Sequence, residues 1–146
     1  SGMKDCLFQM INPRAIGGSY GPLKIHSRAL ELPNGMALNY PNLNYDRGEF
    51  IYSTEKDYIR THGPRVTENV VQALARIVIT DQMLDIQSLP EVDIVMQVHD
   101  EIIAIGSEFN SDDTMNRIIE IMRTPPEWCK DLPLDAEGGV SQVYDK

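Results

Sequence analysis

Val92-Asp93-Ile94-Val95-Met96-Gln97-Val98-His99-Asp100-Glu101-Ile102-Ile103-Ala104-Ile105 drives two apolar runs into one cluster of polar side chains. Each flank is short and rich in Val and Ile, too brief for a free-standing helix, so the stretch reads as a buried β-hairpin that turns at His99-Asp100 and displays its tip. Successive side chains of an extended backbone point to opposite sides, so Asp100 and Glu101 present unequally to any one partner. One acid is expected to be primary and the other supporting.

An aspartate pinned between two strands is a rigid oxygen ligand. It suits a hard cation such as Mg²⁺, which keeps most of its waters and needs only one or two protein carboxylates. One acid alone does not hold two metals. The competing reading is that Asp100 simply makes the turn, where its local hydrogen bonding is favoured. The triplet by itself does not choose between them.

With 146 residues, 42% of them hydrophobic, the chain can bury one core. Ser1-Gly2-Met3 reads as a cleavage scar followed by a start methionine, and the first two residues are set aside. There is no signal peptide and no apolar run long enough to span a bilayer, which predicts a soluble protein with no membrane partner. Cys6 and Cys129 lack CxxC spacing, so neither a zinc site nor a disulfide framework is suggested, and a reducing cytoplasm fits. A net charge of −9 argues against a chain that grips nucleic acid unaided. The objection weakens if the basic surfaces lie on other segments, because a floor that gathers Mg²⁺ is itself acidic.

Residues 1–28 are predicted to form an irregular N-terminal segment, since Asn12-Pro13 and Gly17-Gly18-Ser19-Tyr20-Gly21-Pro22 are turn formers. The glycines lack the frame of a phosphate loop. Residues 29–146 form the folded part. The stretch from Ala29 to Pro41 gives two short alternating runs joined by Pro33-Asn34-Gly35 and reads as a hairpin, with Glu49–Ser53 as a third strand of the same meander. Tyr40, Tyr45, Tyr52 and Tyr58 either stack on bases or pack the sheet; packing is the simpler expectation.

Thr67 is a candidate N-cap for a long helix with Glu68 in its first turn and a core stripe of Val70, Leu74, Ile77, Val78 and Leu84. On another face Arg65, Asn69, Gln72 and Arg76 make a row of long polar donors, either solvated or substrate-facing. After the central hairpin, Ser111 is predicted to cap a second helix with Asp112 and Asp113 in its first turn, a buried stripe of Met115, Ile118, Ile119 and Met122, and Pro125-Pro126 as its stop. Trp128 is expected at the core edge and a last strand near Val140–Tyr144. His26 and His62 have no sequence partner and read as ordinary. The fold class is α+β: an antiparallel β-sheet backed by two main helices.

Three ordered stretches carry a resemblance. Gln97-Val98-His99-Asp100-Glu101-Ile102 after an apolar strand resembles motif C of the family A (polymerase I type) DNA polymerases. Thr67-Glu68-Asn69-Val70-Val71-Gln72-Ala73-Leu74-Ala75-Arg76 is similar to the helix that phage members carry before motif C, and the Leu-Pro-x-Gly-x-x-Leu-x-Tyr-Pro segment ending at Pro41 is similar to the meander that precedes it. Met122–Trp128 with Leu132–Gly138 resembles the tail of those phage enzymes.

The resemblance implies a palm subdomain fragment. Asp100 would ligate catalytic Mg²⁺ in a two-metal site, Glu101 would assist at its rim, and His99 with Gln97 would contact the primer terminus. Arg65, Glu68, Gln72 and Arg76 would face primer-template DNA. The partners implied are DNA, dNTP and the remaining polymerase polypeptide, in the cytoplasm of the host cell if the chain is phage-encoded.

Two parts of the family pattern are missing. No Asp-x-Ser-x-x-Glu carries the second metal-binding aspartate of motif A, and the Lys- and Tyr-bearing helix of motif B is absent. The chain is therefore expected to be inactive alone, as a piece of a larger polymerase or a subunit of a split one. The rivals are a non-catalytic interaction module with the same fold, and a different Mg²⁺-dependent phosphoryl-transfer enzyme. The latter needs Asp93, Glu91 or Glu137 to converge on Asp100.

Overall fold

The computed structural model describes residues 2–142. The chain divides between Ala75 and Arg76 into two compact units, and helix α2 (Gly63–Gln87) runs through the division.

The first unit opens with α1 (Gly2–Ile11), which corrects the expectation of an irregular segment over residues 1–28. Met3, Cys6, Leu7 and Met10 fall at the i, i+3, i+4, i+7 spacing of one helix face, and all four are buried. The sequence carried that stripe, but it lies between a presumed scar and a run of turn formers. Two strands follow inside the same segment, β1 (Ser19–Tyr20) and β2 (Leu23–His26), and α1 packs on β2. In β2 the side chains alternate, with Leu23 and Ile25 inward and Lys24 and His26 outward, as period two requires.

Strands β3 (Ala29–Glu31) and β4 (Ala37–Asn39) form the hairpin expected around Pro33-Asn34-Gly35, and β1-β2-β3-β4 is one antiparallel sheet. The predicted third strand is β6 (Glu49–Ser53), with its bounds as expected. It pairs instead with β5 (Asn44–Asp46) and β7 (Tyr58–Thr61) in a separate antiparallel sheet. Leu7, Met10, Ile25, Leu30 and Leu43 are fully sealed from solvent and define this unit's core. Tyr40 is buried edge-on against Tyr52, and Tyr45 packs against Phe8 and Phe50, so three of the four tyrosines pack; Tyr58 is exposed.

Helix α2 starts at Gly63, five residues earlier than a cap at Thr67 would set it. His62 caps it, accepting the Arg65 amide on Nδ1 at 3.0 Å and the Val66 amide on its carbonyl at 3.1 Å. Pro64 sits in the first turn, where a missing N–H costs nothing. Thr67 bonds backward to the Gly63 carbonyl instead of capping. Val70 and Ile77 are buried and Leu74 and Val78 half-buried as expected, but Leu84 is exposed, and Val66, Gln82 and Ile86 complete the buried stripe.

In the second unit β8 (Asp93–Val98) and β9 (Glu101–Ile105) form an antiparallel pair. A short 3₁₀ turn, Glu108–Asn110, capped by the Ser107 hydroxyl, leads into α3 (Ser111–Arg123). Ser111 is thus the first helical residue, and the cap position is held by Asn110. Met115, Ile118, Ile119 and Met122 are half-buried, where full burial was expected. Gln82 on α2 is buried and donates to the Met122 carbonyl at 3.0 Å, which ties α3 to the C-terminal half of α2. The helix stops at Arg123 before Pro125, and half-buried Trp128 lies on a second 3₁₀ turn, Glu127–Cys129. Val140–Gln142 form no strand; Val143 and Tyr144 fall outside the described residues.

The α+β class and the antiparallel pairing hold. Where one sheet over two helices was expected, the described residues form three separate sheets and three α-helices.

Candidate functional site

Val98 pairs with Glu101, so His99 and Asp100 are the entire loop of the β8–β9 hairpin. His99 has φ 53°, and Asp100 is not among the residues with positive φ. This is the pattern of a two-residue turn whose first position normally belongs to glycine, and Gly21-Pro22 between β1 and β2 has it with Gly21 at φ 56°. Holding a histidine there costs about 1–2 kcal/mol. The Gln97 side chain donates to the His99 carbonyl and fastens the turn from below.

Asp100 and Glu101 are both exposed, and so are Gln97 and His99. The two acids differ in setting: Asp100 is a loop residue, whereas Glu101 opens β9 beside Val98. Arg65, Glu68 and Gln72 are exposed on the first part of α2, within the first unit, and Gln72 donates to Glu68 at 3.4 Å. Arg76 is exposed and belongs to the second unit. Asn69, in the same row, is instead occupied, donating to the Tyr40 hydroxyl at 3.0 Å.

The strands below the tip are not buried as expected. Cross-strand partners share a face, which puts Asp93, Met96, Val98, Glu101, Ile103 and Ile105 on one side of the pair and Ile94, Gln97, Ile102 and Ala104 on the other. On the first side Met96 is 49%, Val98 46% and Ile105 63% exposed. A bulge between Ile94 and Met96 leaves Val95 unpaired. Among the described residues no further strand pairs with either edge, and a lone two-stranded hairpin is marginal in water. The other side carries half-buried Ile94, Ile102 and Ala104.

At the base, the Gln87 amide reaches across from the end of α2. Its Nε2 donates to the Val92 carbonyl at 3.0 Å and to Asp93 Oδ1 at 3.1 Å, while its Oε1 accepts the Ile94 amide at 2.9 Å. Sequence reading missed Gln87, because nothing in its spacing sets it apart from a solvated glutamine. Asp93 is thus committed at the end of β8 opposite the tip, five residues or about 17 Å of strand from Val98. Among the described residues no three His, Cys, Asp or Glu side chains gather into a metal site. Asp93 therefore does not converge on Asp100, as the phosphoryl-transfer rival requires.

What the residues build is a bare carboxylate on a tight β-turn, with a strained histidine before it, a second acid after it, and apolar strands below it with one side open. Sequence comparison gives the arrangement a setting. The chain is 32% identical over 130 residues to a DNA polymerase of Bacillus phage SP02, an alignment that takes in 80% of this chain. The chain spans only 19% of that protein's length. No protein-family model matches the sequence, and no solved structure matches it. No helix among the described residues is long and apolar enough to cross a membrane.

Proposed function

We propose that this chain is the motif C portion of the palm of a phage-like family A DNA polymerase. The observation that carries the reading is the coincidence of two independent facts. The chain is similar to a phage DNA polymerase over most of its length, and its His99-Asp100-Glu101 triplet forms the exposed tip of an antiparallel hairpin.

A solvent-facing carboxylate on a rigid turn fits Mg²⁺, which needs few protein ligands. Asp100 is the ligand, Glu101 supports it at the rim, and the second aspartate comes from polypeptide outside this chain. Bound metal would supply charge neutralisation and activation of the attacking 3′-hydroxyl. The remaining work is positioning. His99 and Gln97 orient the primer terminus through ring and amide hydrogen bonds, and the Gln97 bond to the His99 carbonyl keeps the two in register. Arg65, Glu68, Gln72 and Arg76 face primer-template DNA from α2, and dNTP is a substrate of the complete enzyme, which works in the host-cell cytoplasm. The open apolar side of β8–β9 is where the rest of the polymerase covers the hairpin.

The purified chain alone is expected not to incorporate labelled dNTP into a primed template. Mixed with the polypeptide that carries motifs A and B it should do so, and Asp100→Ala should abolish the reconstituted activity. Retention of function in Asp100→Ala would favour the interaction-module reading, and incorporation by the chain alone would overturn the fragment reading.

A further inference from the structure

The first unit holds a cleft of about 400 Å³ lined by Lys4, Glu49, Phe50, Arg60, Thr61, His62 and Arg65 around the start of α2. In a chain of net charge −9 its lining is cationic. The one acid, Glu49, is engaged with Arg60 at 3.2 Å, and among the described residues Lys4 and Arg65 have no ion-pair partner. The N-terminal ends of two helices meet here: a Cβ placed on Gly63 would lie 3.3 Å from the Lys4 amide nitrogen. Both helix dipoles therefore turn their positive ends toward one space.

A separate observation points to a ligand. Thr61 is only 8% exposed, and among the described residues its Oγ1 has no hydrogen-bond partner. It closes β7 opposite Phe50, so the two side chains share a face of the sheet, and both line the cleft. A buried hydroxyl left unpaired destabilises a fold, and is retained at no cost only when something bonds to it. His62 adds a donor. Its Nδ1 accepts the Arg65 amide, which assigns the ring proton to Nε2. Since His62 already occupies the Arg65 and Val66 amides, α2 contributes its field and the side chains contribute the hydrogen bonds.

We propose that this cleft is a phosphate-binding site with Lys4, Thr61, His62 and Arg65 as its ligands. A guanidinium fork, an ammonium, a hydroxyl and an imidazole N–H around two helix N-termini suit a multiply charged oxyanion with several acceptors. The site belongs to the first unit and does not depend on Asp100; Arg65 is the residue it shares with the polymerase reading. The phosphate belongs either to a free nucleotide or to a nucleic-acid strand.

Amide NMR of the full chain titrated with inorganic phosphate tests the proposal. Saturable shifts are expected at Lys4, Thr61, His62, Gly63 and Arg65, with binding weakened about tenfold in the Lys4→Gln/Arg65→Gln double variant. Thr61→Val should weaken binding while raising Tm by about 3 °C, because it removes an unpaired polar group; a merely structural threonine would not separate the two. Deoxynucleoside monophosphate and a short DNA duplex then distinguish the sources. Tighter binding of the former indicates a free nucleotide. Salt-dependent perturbation of the same amides by the latter indicates a backbone phosphate. Absence of saturable shifts at these amides, or equal affinity in wild type and both variants, overturns the proposal.

Discussion

The sheet of β1–β4 and the hairpin of β8–β9 are both antiparallel and both rich in apolar side chains, yet they end differently. Around the first, Leu7, Met10, Ile25, Leu30 and Leu43 are sealed from water. On the second, Met96, Val98 and Ile105 leave much of their surface in solvent. At about 25 cal/mol per Å² of apolar area, the first sheet has collected its hydrophobic free energy and the second has not. The second sheet keeps its apolar face open beneath a displayed acid, and the first does not.

The largest expected effect tests the tip. With the complementary polypeptide supplied, Asp100→Ala should lower primer extension about a thousandfold, the equivalent of several kcal/mol of lost charge stabilisation, while leaving the melting curve of the chain unchanged. Next come the two sheets themselves. Leu30→Ala removes a sealed core side chain and should destabilise by about 2–5 kcal/mol in urea unfolding, whereas Val98→Ala should change stability by less than about 0.5 kcal/mol. Equal losses would erase the contrast between the two sheets. If the open side is an interface, Val98→Lys should leave the isolated chain folded and prevent its capture of the rest of the polymerase.

A smaller effect is expected at His99. Replacement by glycine relieves a positive φ and should raise stability by about 0.5–1 kcal/mol, and under the polymerase reading it should lower activity through the lost ring. Smallest is a pH effect confined to the sealed unit. Burial pushes the Cys6 thiol above its ordinary value of 9.0, so the unfolded chain sheds that proton first. Its contribution to stability is full below pH 9.0 and falls as pH rises through the folded value. Tyr40 is raised the same way by burial, against the hydrogen bond from Asn69. Melting temperatures from pH 8 to 11 should therefore decline at the alkaline end. Cys6 should also react with a thiol reagent more slowly than half-buried Cys129.

Those outcomes bear on what sequence could reveal. The hairpin register followed from Val and Ile runs flanking a polar pair, and β6 from its β-branched and aromatic residues between turn formers. Helix α1 was equally legible in Met3, Cys6, Leu7 and Met10, but neighbouring turn formers outweighed a stripe of only four residues. The start of α2 was missed for a chemical reason: a histidine ring nitrogen did the capping that Thr67 appeared suited to do. Burial of β8 and β9 could not be read at all, since an apolar side chain carries no mark of whose atoms will cover it. The row Arg65, Asn69, Gln72, Arg76 was read as one face, but Asn69 is spent on Tyr40, a pairing set by tertiary structure alone.

The Gln87 clamp has a mechanical consequence. Three hydrogen bonds fix the foot of the hairpin, and six residues of strand carry Asp100 about 20 Å beyond it. An arm pinned at one end converts a swing of about 3° into a displacement of about 1 Å at the other, enough to cost a reaction roughly a hundredfold in rate. Bracing the arm along its length would steady the carboxylate more than any bond made at the turn itself.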